Sequence, residues 1–285
     1  MKKSTVSAVV AATLGTVMAG SANAFVISSG NATVAGDILG LSEWSVNGTN
    51  QLASQTWWFN TDAGDGTPYN YELADYDGAA AESSTATSAS VLYNMLAELG
   101  LTVQVDYSLS GGTNTSTLNE SVTIINNSGA AANFSLFQFT DFDLGGYAPY
   151  DSADDDVGDG TDGFNYGQND TVTQVSGNYV TQSNGTMSVV EAATVPWPSL
   201  TSIGQAVALE DALFDDMLSG TNAGDTFTGD AAWIWQYTFN IADGESASIG
   251  KTMIMETVVP VPAAVWLFGS GLLGLVGVAR RRTRA

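Results

Sequence analysis

The sequence predicts an all-β domain of sandwich type. Three features carry that expectation. Apolar and polar residues alternate with period two over several stretches; Gly, Asn, Asp, Ser and Thr break those stretches at short intervals; and segments with helical spacing are few. The region concerned, residues 25–257, holds enough chain for one large sandwich or two smaller ones.

The clearest strand is 101–109, where Leu101, Val103, Val105, Tyr107 and Leu109 point one way and Thr102, Gln104, Asp106 and Ser108 the other. Residues 233–241 repeat the pattern, with Trp233, Trp235, Tyr237, Phe239 and Ile241 on one side. Gly111-Gly112 and Asp243-Gly244 supply the turns that end these two strands. Further strands are expected at 121–126, 134–144, 171–175, 178–182, 186–192 and 247–255. Residues 134–144 are apolar on both faces, which suits a central strand covered on two sides. Helix is expected at 88–100, where Val91, Leu92, Met95, Leu96 and Leu99 have helical spacing and Gly100 is a stop, although its short length leaves room for a strand, and at 208–218.

Charge and composition exclude several chemistries. The chain has 30 acids against 7 bases, with no cysteine and no histidine. Disulfides, Cys/His zinc sites, Ser-His-Asp triads and Cys-His dyads are therefore impossible. All the acids lie between Asp37 and Glu256, and Lys251 is the only base in that span, so a domain without its two ends has a net charge of −29. Such a domain is a poor partner for nucleic acid, which needs clustered Lys and Arg.

The ends read as addresses. Lys2 and Lys3, a short apolar stretch from Val6 to Met18, and Ala22-Asn23-Ala24 form a secretory signal peptide over residues 1–24. Signal peptidase would cut after Ala24, once the Sec translocon had passed the chain across the membrane. At the other end, residues 258–285 carry a Pro-x-Pro pair, an apolar run from Ala263 to Ala279, and Arg280, Arg281, Arg282 and Arg284. Seventeen helical residues reach roughly 25 Å, enough for a thin span, and the arginines would hold the far end in the cytoplasm.

That three-part ending resembles the PEP-CTERM sorting signal of exported proteins of Gram-negative bacteria, in its VPLPA-type variant. The motif here is Val259-Pro260-Val261-Pro262-Ala263, with Val261 where the variant has leucine. The resemblance implies an exosortase, a membrane-embedded cysteine transpeptidase-like enzyme. It would recognise the motif, remove the helix from the inner membrane, and release the chain to the cell surface or exterior. Within the middle, residues 44–52, 55–60, 137–146 and 229–253 are similar to a recurrent β-rich domain of PEP-CTERM proteins, which implies export and no catalytic residues.

Candidate sites rest on carboxylates and aromatics. Asp141 and Asp143 are two apart at a strand end and can serve as a glycosidase pair or a cation site. The loop holding Asp151, Asp154, Asp155, Asp156, Asp159 and Asp162, with its glycines, offers oxygen ligands suited to calcium, although its spacing is not that of an EF-hand. Asp62, Asp65 and Glu72 are a thinner calcium candidate. Trp57 and Trp58 are adjacent, so one must face away from the core, toward a glycan or a second layer. Trp197, between Pro196 and Pro198, is expected to plug the sandwich edge.

The leading expectation is a non-enzymatic surface or biofilm-matrix protein, in contact with exopolysaccharide. A calcium-dependent carbohydrate-binding module is the alternative. A carboxylate-based polysaccharide-degrading enzyme is third, because histidine is missing and arginine is confined to the terminus.

Overall fold

Residues 101–111 show how the alternation is used. Leu101, Val103, Val105, Tyr107 and Leu109 are buried while the residues between them are partly or fully exposed. The structure is a computed structural model, and it describes residues 25–257 apart from 65, 68, 77–80, 96–97, 146–169 and 216. In chain order the elements are β1 (Phe25–Ser29), β2 (Ala32–Asp37), β3 (Gly40–Val46), β4 (Thr49–Asn50), β5 (Leu52–Thr61), β6 (Tyr71–Glu72), β7 (Ala81–Ser84), β8 (Ser88–Met95), β9 (Leu101–Gly111), β10 (Thr115–Asn126), β11 (Ala132–Phe142), β12 (Asp170–Ser176), β13 (Tyr179–Ser183), β14 (Met187–Ala193), β15 (Leu200–Gln205), α1 (Ala206–Phe214), β16 (Thr226–Gly229), β17 (Ala231–Ile241) and β18 (Ser246–Thr257).

Two nine-stranded sheets result. Sheet A runs β1-β2-β3-β5-β11-β17-β15, with β4 beside β3 and β6 beside β5, and sheet B runs β16-β12-β13-β14-β18-β10-β9-β8-β7. All their described pairings are antiparallel. One continuous core fills the space between the sheets, with Trp44, Trp57, Phe59, Phe134, Phe142, Trp233, Trp235 and Tyr237 among its largest side chains. Phe142 stacks on Trp233 at 5.7 Å between ring centroids and meets Trp44 at a tilt, 5.8 Å away. The all-β expectation stands.

Two local expectations need correction. Residues 88–100 do not form a helix: Ser88–Met95 is strand β8, paired with β7 and β9. Ala89, Val91, Tyr93 and Met95 are all buried, a period-two set that the extra apolar Leu92 disguised as helical spacing. Trp197 is no plug, for it is 63% exposed on the loop between β14 and β15.

The expected helix at 208–218 exists as α1, nine residues long. Its N-cap Gln205 makes no side-chain capping hydrogen bond, so packing holds the helix in place. It covers the outer face of sheet A, where Trp58, Phe137, Phe139, Ala206, Leu213, Ala232 and Ile234 form a second, smaller core. That layer explains why β11 is apolar on both faces and why Trp57 and Trp58 are both buried: Trp57 faces sheet B, and Trp58 meets the helix side with Phe214 edge-on.

The inter-sheet core also encloses charge. Lys251 of β18 pairs with Glu120 of β10 and lies 2.9 Å from Glu191 of β14, with all three side chains inaccessible to solvent. Around them Gln138 Nε2 donates to Glu120 at 3.1 Å, Trp233 Nε1 donates to Glu191, and the ammonium sits 4.7 Å from the Trp57 ring centroid. Burial pushes the Glu120 carboxyl above its ordinary range, and Lys251 only partly opposes that shift.

Candidate functional site: a carboxylate centre at the end of sheet A

The end of β11 is where the ladder becomes irregular. Asp141 still pairs with Ser54 and with Ala232, but the register against β5 shifts between Asp141 and Phe142. Bulges of this kind re-aim side chains and end pairing. The chain after the bulge is pinned by specific hydrogen bonds. Asp143 N donates to Gln51 O at 2.9 Å, Gly145 N donates to Gln51 Oε1 at 2.7 Å, and Leu144 N donates to Asp170 Oδ2 at 2.8 Å. Gln182 Nε2 bridges Phe142 O at 2.6 Å and Asp170 Oδ2 at 2.9 Å. Gly145 has φ of 101°, a left-handed conformation that glycine adopts without strain, so the Leu-Gly step can turn here.

This turn brings Asp141 and Asp143 together with Asp230, the residue before β17. Oxygens of the three carboxyls lie within 4.8 Å of one another. Asp141 and Asp143 are buried and Asp230 is half-buried. Asp141 Oδ1, both Asp230 oxygens and Asp170 Oδ1 are buried without a hydrogen-bond partner among the described residues. These three acids can hold a metal ion; carboxylate oxygens suit a hard divalent cation.

Like charges in a dry site force protons on. Burial pushes the Asp141 carboxyl well above the usual carboxylate range, and Asp143, Asp230, Asp170 and Glu210 push it further. Asp170 is raised to about 6 by burial, against hydrogen bonds from Leu144 and Gln182 that pull it down. Asp230 is raised to about 6 by burial and then by Asp143. A carboxyl that keeps its proton beside others that can lose theirs is the raw material of general acid–base chemistry near neutral pH. Asp141 shares the outer face of β11 with Phe137 and Phe139, so the centre opens beside the aromatic layer under α1.

Other predicted sites fall elsewhere. Asp154, Asp155, Asp156, Asp159 and Asp162 lie outside the described residues, as do Ala22, Ala24, the motif Val259–Ala263, Arg280, Arg281, Arg282 and Arg284. Asp65 is also outside them, and Asp62 is engaged by Asn133, whose N and Nδ2 donate to its two oxygens at 2.6 Å each. Trp197 lies at the opposite end of β15, since Leu200 pairs with Gln236 whereas Gln205 pairs with Ala231 beside Asp230. A groove of about 420 Å³ on the outer face of sheet B, lined by Ser88, Ser90, Asp106, Ser108, Asn119 and Ser121, brings no second carboxyl to Asp106 from that face. Among the described residues no helix is long and apolar enough to cross a membrane; the run 263–279 is not among them.

The architecture has known counterparts. A galactose mutarotase related enzyme from Lactobacillus acidophilus superposes with a TM-score of 0.50 at 10% identity, covering 83% of this chain and 100% of that one. A bacterial glucoamylase, solved with acarbose, superposes at 0.51 and 9% identity over 89% of this chain, which spans only 36% of the glucoamylase. No protein-family profile and no curated protein matches the sequence.

These likenesses define the fold as one shared with carbohydrate-processing enzymes, and they overturn the expectation of a non-enzymatic surface or matrix protein. That expectation rested on composition and on the ends of the chain. Neither carries the strand order that identifies this two-sheet architecture.

Proposed function

We propose that the chain is a carbohydrate-processing protein in which Asp141, Asp143 and Asp230 perform carboxylate acid–base chemistry on a saccharide. The observation that carries this reading is the Asp141 carboxyl: buried, unpartnered at Oδ1, and raised well above the usual carboxylate range by its dry surroundings and the acids beside it. Asp141 is the proton donor, and Asp143 or Asp230 accepts the proton in return. With neither histidine nor, in the domain, arginine available, carboxyls are the most abundant ionisable groups this fold can offer for that chemistry.

The test is turnover on a panel of aldoses, followed by polarimetry, and of polysaccharides, followed by new reducing ends. Asp141→Asn is expected to lose about 10²- to 10⁴-fold in rate. Asp106→Asn, in the sheet B groove, is expected to leave the rate unchanged. A parent protein inert on the whole panel, or an Asp141→Asn variant as fast as its parent, refutes the proposal.

The ligand geometry favours a second use of the same centre, as a calcium site. Calcium would displace the proton from Asp141, so the same assays run with and without millimolar calcium separate the two uses. Heat on calcium titration that vanishes in Asp230→Asn supports the site, and no heat in the parent excludes it.

The ends complete the proposal. Residues 1–24 act as a signal peptide read by the Sec translocon and signal peptidase, and 258–285 as a sorting segment read by an exosortase at the inner membrane. The intact mass of protein recovered from its host is then short of both ends. A mass that includes residues 263–279 sets aside the exosortase step.

A further inference from the structure

The buried charged cluster between the sheets is used by none of this chemistry, and its arrangement is that of a reaction centre. Lys251 and Glu120 are directly opposite each other in the β10–β18 ladder, and both point into the core. Glu191 reaches the same point from β14 on the other side of β18. No solvent reaches any of the three side chains. Trp57, Trp233, Tyr107 and Tyr237 wall the site, with Trp57 Nε1 donating to Tyr107 Oη at 3.3 Å.

We propose that Lys251 and Glu120 join in an intramolecular isopeptide bond. Within the contact pair, a proton passes from the Lys251 ammonium to the Glu120 carboxylate, leaving a neutral amine against a carboxylic acid. Nζ then attacks Cδ of Glu120, forming the N–C bond. Glu191, whose Oε1 is 2.9 Å from Nζ, takes the proton that nitrogen must lose and returns it to the departing hydroxyl. The C–O bond breaks and one water leaves, so acid plus amine gives amide plus water with no redox partner.

The surroundings match each stage. Gln138 Nε2, donating at 3.1 Å to Glu120 Oε2, stabilises that oxygen as the C–O electron pair moves onto it. Glu120 Oε2 is also the oxygen that Lys251 contacts, so it takes the first proton and departs, leaving Oε1 as the amide carbonyl. Two strands of one sheet hold the reacting groups in contact, which supplies the effective concentration that a condensation needs. Burial that raises the Glu120 carboxyl favours the protonated acid from which the reaction starts.

Mass spectrometry of the folded, purified chain tests this directly. The expected mass is lower than the sequence mass, for the termini observed, by one water. Chymotryptic digestion is expected to yield a branched peptide joining residues around Glu120 to residues around Lys251. Glu191→Gln, similar in shape to the parent, is expected to fold and to remain at the unmodified mass. An unmodified parent overturns the proposal, and so does a water loss that maps to an Asp-Gly step such as Asp243-Gly244. A Glu191→Gln variant linked as completely as the parent overturns the assignment of Glu191 as base. None of these readouts depends on saccharide turnover, so the bond and the carboxylate centre stand or fall separately.

Discussion

Relative to the unlinked parent, replacing Lys251 by methionine lowers the unfolding free energy by at least about 3–5 kcal/mol at pH 7, the scale on which a buried ion pair is broken when one partner is removed. The reason lies in what remains. Glu120 and Glu191 are both inaccessible to solvent, and Lys251 is the only basic residue between Lys3 and Arg280. No other side chain of the domain can neutralise them. The single variant should regain part of its stability as the pH falls, because Glu120, already raised by burial, then takes up a proton. Adding Glu120→Gln and Glu191→Gln should restore the electrostatic share of the loss, since a neutral polar cluster costs much less to bury. Urea unfolding of the parent, single and triple variants at pH 7 and pH 5 measures this. A Lys251→Met loss under about 1 kcal/mol would show that the cluster is not held by charge.

Acidification from pH 7.5 to pH 5 stabilises the parent domain by about 2 kcal/mol. The sign follows from proton uptake. Asp170 and Asp230 titrate at about 6 in the folded chain, above the ordinary aspartate value, so between roughly pH 4 and 6 the folded state binds more protons than the unfolded one. The stabilisation is complete below the unfolded value and is lost as pH rises through about 6. Asp170 is fully buried and contributes most, while Asp230, a residue only partly buried, counts for less. Asp141, also raised by burial, has the same sign. Relief of general repulsion at a net charge of −29 has the same sign, so the control is the variant Asp141→Asn/Asp170→Asn/Asp230→Asn. Its stability should vary with pH much less than that of the parent. Equal slopes in the two proteins would assign the effect to global charge alone.

Much of this fold is legible from alternation, and the reason is local. Whether residue 103 or 104 faces the core depends on its immediate neighbours along the strand, and the Val103, Val105, Tyr107 series states it directly. The two-sided character of residues 134–144 likewise announces a covered central strand, although not that a nine-residue helix does the covering. Strand 88–95 is misread because Leu92, only partly buried, completes a helical spacing that competes with the period-two set.

The candidate site is half legible. Asp141 and Asp143 are visible as a pair at a strand end, but Asp230 joins them only through the β11–β17 register, and Asp170 only through the hydrogen bonds of the 142–145 turn. Among 30 acids nothing in the chain marks those two as special; long-range pairing does. The Lys251 cluster is similar. The sequence shows a lone lysine in a strand, and only the sheet order puts two glutamates beside it.

The position of that lysine also determines how the domain meets proteases. Enzymes of trypsin-like specificity need an exposed Lys or Arg in a segment that can leave its strand. Between residues 25 and 257 this protein offers one such residue, 2% exposed at the middle of a twelve-residue strand paired on both sides. The folded domain thus presents basic-residue proteases with no cleavable bond. Against proteases of that specificity, its lifetime is set by unfolding rather than by surface nicking.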